Sequence, residues 1–458
     1  MPTFPVRLLF ASAALFSAAT AQAAPDPALG KDVLLQSIAF KTVEGEGQVP
    51  KLAAYYAAVL KDAGFADADI VITPMGETAT LAATIKGSDA ALKPLLLIGH
   101  MDVVAADRKD WTRDPFVPVE ENGYIFGRGA EDNKYDVAMM VTTLAYLKRT
   151  GFAPRRTVTL LLSGDEETQM KTTRALAARY KDAELLLNGD GGGGVLGEDG
   201  KPVLYLLQAG EKTYADFEIA ITDPGGHSSA PTASNPVYRL AKVLDRLAAY
   251  QFPPMANELT RASMRAGARR IGGEAGAAMA RYAENPQDAT AAAYLSSRSE
   301  YVGQVRTTCV ATMLSGGHAL NALPQRATAS VNCRIFPGVA IDAVKAELTK
   351  VIADDSATVT TLNDPTGSDA SPLRADVTAA VTKAVQARYP GLEITPNMSA
   401  GATDSLYFRA LGVPSYGVSG LFMKSSDGFA HGLNERVPVA GIAGALAQWE
   451  TMVKTLAR

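Results

Sequence analysis

The stretch that most constrains this chain is Pro94-Leu95-Leu96-Leu97-Ile98-Gly99-His100-Met101-Asp102. A short unbroken apolar run suits a strand buried on both faces, as in the interior of a parallel sheet. In such sheets ligands and reactive side chains collect at the carboxyl ends of the strands, where His100 and Asp102 fall. With extended geometry carried through them, the period of two points both side chains the same way. A carboxylate beside an imidazole holds one ring nitrogen and frees the other for a metal. Taken alone, the stretch reads more simply as a strand end with a capping Asp and a satisfied His.

The rest of the chain supplies the context. Strands are expected near Ile70–Thr73, Thr80–Ile85, Thr157–Leu162 and Leu185–Leu187, with helices over Lys51–Gly64 and after Asp132, where Val137, Met140, Val141, Leu144 and Leu147 share a face. Strands alternating with helices, with acidic residues at the strand ends, describe an α/β fold with a mixed, mostly parallel sheet. Near Gln208 the character changes. A half-exposed antiparallel strand runs from Tyr214 to Thr222, and the order that follows is β-α-β-β-α-β, that of a ferredoxin-like α+β layer. After about Pro372 the α/β pattern returns. The expected domains are therefore 24–207 and 371–458 as one catalytic unit, with 208–370 inserted as a lid and an Ala-rich helical insertion near 254–301. At 458 residues, 47% of them hydrophobic, the chain is long enough for two such cores.

Arg7, the apolar run Leu8–Phe16 and the small residues Ala21-Gln22-Ala23-Ala24 form the three regions of a secretory signal peptide, cleaved after Ala23. The run falls short of the ~20 residues a membrane span needs. Export to the periplasm or medium is the expectation, with no stable membrane span afterwards. In that oxidising setting Cys309 and Cys333, on strand-like stretches either side of a turn-rich segment, are a disulfide or two separately buried thiols; sequence leaves both open. Net charge is -4 and no basic block occurs, which argues against a nucleic-acid partner.

Of four histidines, His100, His227 and His431 sit in Gly-rich or acidic turns. Each candidate residue has an ordinary explanation: Asp132 as a helix start, Asp165-Glu166-Glu167 at a helix's positive end, Asp190 in a turn. Together they crowd one rim of the sheet. Two unpaired carboxylates ~5 Å apart at an effective dielectric of ~20 repel by about 3 kcal/mol. Divalent cations remove that penalty, and imidazole plus carboxylate without thiolate suits zinc, with manganese or cobalt as alternatives.

With these residues in place, the chain resembles the co-catalytic di-zinc amidohydrolases of peptidase clan MH, a family of aminoacylases, carboxypeptidases and dipeptidases. The matching segments are Gly99-His100-Met101-Asp102, Gly127 through Asp132, Asp165-Glu166-Glu167, Gly189-Asp190, Gly225 through Ser229, Asn321 through Pro324, Arg334, Gly401 through Asp404 and Ala430-His431-Gly432, in the family's order. The resemblance implies that His100, Asp132 and Asp190 hold one metal and that Asp132, Glu167 and His431 hold the other. Asp102 would orient His100, and Glu166 would act as general base on a bridging water. His227 would donate to the oxyanion, reaching the partner's site in a homodimer formed through the lid. Arg334 would pair bidentately with a free carboxylate, aided by Asn321, Gly401 and Thr403. The implied substrate is a peptide or N-acyl amino acid. Asn133, Tyr135 and Thr168-Gln169-Met170 depart from the family's usual acidic and glycine residues, and His318 matches nothing.

Two readings from other classes compete. Gly226-His227-Ser228-Ser229-Ala230 nearly forms a serine-hydrolase elbow but lacks the final glycine and follows an antiparallel strand. A metal-bound binding protein without catalysis is the other, and the retained Glu166 argues against it. A nucleotide loop at Gly194–Lys201 fails because Pro202 stands where Ser or Thr is needed.

Overall fold

The computed structural model describes residues 24–458; the leader-like segment 1–23 lies outside them. A ten-stranded mixed sheet runs through the larger body. Strand Leu95–His100 lies between Val158–Ser163 and Leu185–Asn188, parallel to both, and Ser415–Gly417 continues the parallel run. Antiparallel strands flank it, Ile70–Met75 and Thr78–Ile85 on one side, Pro202–Glu211 and Gly193–Leu196 on the other.

The unbroken apolar run has its cause in this placement. Leu95 and Leu97 face the core under helices Tyr135–Arg149 and Ile442–Leu456, while Leu96 and Ile98 face Leu176, Leu406 and Phe408 on the opposite side. Both faces are covered, so neither parity of the strand tolerates a polar residue until the sheet ends at His100.

Thr213–Thr222, Thr308–Gly316, Arg326–Ile335 and Ala357–Leu362 form a separate antiparallel sheet, in the spatial order 308–316, 326–335, 213–222, 357–362. Helices Pro236–Ala249 and Ile341–Ile352 back it, giving the split β-α-β-β-α-β layer. Phe217, Ile219, Val331 and Ile335 alternate inward against Leu240, Val243, Val344 and Leu348. Tyr214, Asp216 and Arg334 fall on the other parity and the opposite face. Cys309 and Cys333 face each other across this sheet and are joined, which settles the choice left open above.

The insertion is helical as expected, while its docking departs from a place wholly within the inserted layer. Four helices, Glu258–Ile271, Gly273–Glu284, Ala289–Ser296 and Ser299–Val305, build a small core of their own around Met264, Tyr282 and Leu295. Leu259 nevertheless enters the main core, and the first helix packs on strand Ile394–Ser399 of the large sheet. Helical periodicity marks an apolar face without saying which sheet covers it. The chain therefore passes between the two sheets near 211–213, 250–257, 305–308 and 362–371. Hydrogen bonds tie these crossings together: Lys212 Nζ to Arg306 O (2.6 Å), Met255 N to Val305 O (2.8 Å), Arg306 Nη1 to Gln251 Oε1 (2.8 Å) and Ser371 N to Ala209 O (2.7 Å). No helix among the described residues is long and apolar enough to cross a membrane.

Candidate metal centre

His100 closes its strand fully buried, and its ring is aimed by both nitrogens. Nδ1 lies 3.0 Å from the backbone carbonyl of Asp102, and Nε2 lies 2.9 Å from Asp132 Oδ1 and 3.9 Å from Asp190 Oδ2. The expected contact from the Asp102 carboxylate is displaced. Its oxygen is 3.6 Å from Nδ1, beyond hydrogen-bond range, because the carboxylate accepts the amides of Glu166 (3.1 Å) and Glu167 (3.0 Å). Asp102 thus orients the imidazole through its main chain and the Glu166-Glu167 turn through its side chain.

The second group assembles on the same carboxylate. Asp132 Oδ2 is 3.2 Å from His431 Nε2, which also lies 3.0 Å from Glu167 Oε1. One donor atom from each of His100, Asp132 and Asp190 lies within 4.8 Å of the others, as does one from each of Asp132, Glu167 and His431. Asp132 belongs to both sets. Against burial, which would raise it, the hydrogen bonds from His100 and His431 hold the Asp132 carboxyl low. Burial pushes Glu166 and Asp190 well above the ordinary carboxyl range, and neighbouring carboxylates push further: Asp190 on Glu166, Asp132 on Asp190. Two imidazoles and three crowded carboxylates without a thiolate match the donor chemistry of a pair of divalent, zinc-like ions, whose charge would offset that crowding.

Residues not singled out as functional in the sequence hold these ligands. Glu435, fully buried, accepts the amides of Gly129 (2.9 Å), Glu131 (2.7 Å) and Asp132 (3.0 Å) and pairs with Arg128 at 2.7 Å. Arg128 Nη2 donates in turn to the carbonyls of His431 (3.3 Å) and Gly432 (3.1 Å). Asn188 Oδ1 accepts the Asp190 amide at 2.8 Å, and its amide nitrogen reaches Thr403 and Ser405. Asp404, buried among these groups, is raised by that burial to about 6 and accepts hydrogen bonds from Ser163 and Thr173. Glu435 and Arg128 do lie beside motif residues in the sequence, which is the one signal that could have flagged them.

Substrate-side expectations fare unevenly. Thr403, expected to face substrate, is turned inward: its hydroxyl donates to Glu211 (2.9 Å), and its oxygen accepts from Asn188 (3.1 Å) and the Ser405 amide (3.2 Å). Gly401 is exposed, its amide bonded to Ser399. Arg334 is partly buried with its guanidinium 4.7 Å from the Tyr214 ring centroid, and no carboxylate pairs with it among the described residues. His227 and Asn321 are brought together, since Gly226-His227 pairs with Ala322-Leu323 and the Ser228 amide donates to Asn321 O at 3.0 Å. Both are exposed, and neither bonds to the carboxylate cluster. His227 Nδ1 is taken by Ser229 (2.7 Å), with no carboxylate behind it, so the serine-hydrolase arrangement lacks its third member. His318 lies exposed in a loop.

Comparison with known proteins follows the same lines. The model of "Peptidase family M20/M25/M40" matches residues 96–455. The N-fatty-acyl-amino acid synthase/hydrolase PM20D1.1 of Danio rerio is 29% identical over 374 residues, covering 78% of this chain and 71% of its own. Among solved structures, the M20 family metallo-carboxypeptidase Sso-CP2 from Sulfolobus solfataricus superposes with a TM-score of 0.69 at 20% identity, over 93% of this chain and 98% of that one. The di-peptidase Dug1p from Saccharomyces cerevisiae gives 0.66 at 18%, over 93% and 95%. A mixed α/β body whose strand ends gather imidazoles and carboxylates, under a family model spanning most of its length, is a hydrolase of the metallopeptidase class, and the chain belongs to peptidase family M20/M25/M40.

Proposed function

We propose that the enzyme hydrolyses an amide bond next to an amino acid with a free carboxylate, releasing that amino acid. The observation that carries this is Asp132, shared between two donor groups beside the partly buried Glu166. His100, Asp132 and Asp190 would hold one zinc ion, and Asp132, Glu167 and His431 the other, with manganese or cobalt as alternative occupants. Bound there, the ions would supply an acidified water and polarise the scissile carbonyl.

Glu166 would take the proton of that water on its carboxylate and return it to the departing amine nitrogen. The Asp102 carboxylate, by gripping the Glu166 and Glu167 amides, keeps base and ligand in register. Arg334, which forms no ion pair among the described residues, would take the substrate carboxylate by two parallel hydrogen bonds. His227 would donate to the developing oxyanion from the two-stranded ribbon it forms with Ala322-Leu323, on the loops of the four-stranded layer, which then acts as a lid, with Asn321 and Gly401 adding hydrogen bonds. Thr403 keeps a supporting role through Asn188 and Asp190. Carboxypeptidase, dipeptidase and N-acyl amino acid hydrolase names all occur among the relatives, so the substrate's other half is open at this level. The leader-like residues 1–23 support export to the periplasm or medium.

Kinetics of Glu166→Gln with parallel metal analysis test the proposal. Loss of a general base predicts a fall in kcat of about 10²–10⁴-fold with both metals retained. Near-normal turnover with the metals bound overturns it.

A further inference from the structure

Arg334 has an acidic neighbour that it does not use. Across strands Thr213–Thr222 and Arg326–Ile335, Tyr214 lies directly opposite Arg334 and Asp216 directly opposite Asn332. All four share the face turned away from the layer's core, which Ala215, Phe217, Val331 and Cys333 fill from the other side. Asp216 is therefore the diagonal neighbour of Arg334, a spacing that long side chains bridge. Yet neither residue forms an ion pair among the described residues. Reach is not the reason. On the same face Arg326, whose partner across the strands is Thr222, extends back four residues to pair with Glu218 at 2.6 Å.

Two contacts keep the diagonal pair apart. The Asn332 amide nitrogen donates to Asp216 Oδ1 at 2.8 Å. A carboxylate only accepts, so a side chain without a donor at this position loses the contact. The guanidinium meanwhile lies over the Tyr214 ring, 4.7 Å from its centroid. Lys212, two residues before Tyr214, donates to Arg306 O (2.6 Å) and not to Asp216. Charge still couples the neighbours: burial lowers the Arg334 guanidinium's pKa, and Tyr214 and Asp216 act against it.

A substrate carboxylate arriving at Arg334 thus enters a patch that already holds a carboxylate. The two repel, and one guanidinium fork receives one of them bidentately. Asp216 and Asn332 are both partly exposed, so the first can turn toward Arg334 once the second lets go.

We propose that Asn332 is a positioning residue that holds the Asp216 carboxylate off Arg334, and that Asp216 is the rival with which a substrate's carboxylate competes for the guanidinium. The assignment rests on the reading of Arg334 as the carboxylate site and goes beyond it by naming what sets that site's affinity.

The test uses the zinc-loaded full-length enzyme with glycyl-phenylalanine and N-acetyl-phenylalanine, each set against its carboxamide. It reads kcat and KM for the acids, and KM or inhibition constants for the amides. Asp216→Asn should lower KM for the acids about three- to fivefold, since a like charge ~7 Å from the bound carboxylate is removed. Asn332→Leu, which removes the donor, should raise that KM about tenfold, as the charged contact passes to the rival. Combining Asn332→Leu with Asp216→Asn should return KM to the wild-type value or below, a rescue that a damaged layer would not show. In all three variants kcat should stay within about twofold of wild type, and the carboxamide constants should not move. An Asn332→Leu KM that is unchanged, or that stays raised when Asp216 is also replaced, overturns the inference and leaves the hydrolase reading intact. If the wild type handles each acid no better than its carboxamide, Arg334 is not the carboxylate site, and that reading and this inference both fall.

Discussion

Glu435 Oε1 accepts the backbone amide of Asp132 at 3.0 Å and that of Glu131 at 2.7 Å, so the shared carboxylate is presented by a loop held from four residues beyond His431. Its other oxygen takes the Gly129 amide and Arg128, whose guanidinium continues to the His431 carbonyl. One buried ion pair thereby fixes the spacing of two ligand loops that lie some three hundred positions apart in sequence. Glu435→Gln puts an amide donor where backbone donors already point. Metal affinity should fall about 10–100-fold, the usual cost of losing a group that orients ligands. Competition with a chelator measures this, and an unchanged chelator midpoint would show that the loop is held elsewhere.

Arg334 is the cleanest test of carboxylate recognition. It is a partly buried cation over the Tyr214 ring that forms no ion pair among the described residues. Lysine at this position keeps the charge and loses the planar fork. Arg334→Lys should raise KM about tenfold or more with a smaller change in kcat, since a bidentate charged contact is worth roughly 1.5–3 kcal/mol. Steady-state kinetics on a substrate and its carboxamide analogue separate the effects. Equal sensitivity of both compounds would remove Arg334 from the carboxylate site.

Much of this centre can be read from sequence because strand periodicity is strict. The apolar run Leu95–Ile98 demands a strand covered on both faces, which by itself sends His100 to the rim where Ser163 and Asn188 also end their strands. Asp132, Glu167 and His431 come from the resemblance that the motif segments carry. Glu435 lies outside those segments and Arg128, though inside one, received no role, because their work is done on backbone amides and carbonyls, which leave no residue-type signature. Thr403 shows the opposite failure: a motif marks the residue, yet only the packing of Glu211 and Asn188 around it turns its hydroxyl away from the cleft. The helices of 258–305 were readable as helices, whereas their docking on Ile394–Ser399 depends on which apolar faces meet.

Lys212 gives the junction between the sheets a pH dependence. Its side chain is fully buried and donates to Arg306 O; burial, reinforced by the positive charge of Arg334, lowers its ammonium to about 7. The unfolded chain, with a lysine near ~10.4, binds more protons than the native one above pH 7. Stability from this group therefore rises with pH between about 7 and the ordinary lysine value. Urea midpoints of wild type and Lys212→Met across that window should diverge, the wild type gaining on the variant as pH rises. A constant difference between the two would mean that Lys212 stays protonated.

The four-stranded layer ends in strand Thr308–Gly316, an edge with Val310, Met313 and Leu314 at 60, 69 and 65% exposure. Long apolar edges are normally blunted by charge or covered, so this one invites a second copy, which would continue the sheet about a two-fold axis. Met313→Glu with Leu314→Glu should then shift sedimentation from dimer to monomer. His227 is exposed and makes no bond to the carboxylate cluster of its own chain; in such a pair it would serve the partner's site. Complementation decides it. Glu166→Gln and His227→Ala homodimers should both be nearly inactive, but after mixing and reassembly each heterodimer holds one site with an intact Glu166 and an intact His227. Activity should recover to about a quarter of wild type if subunits pair at random about the two-fold axis. If His227 acts within its own chain, the mixture gains nothing over its components.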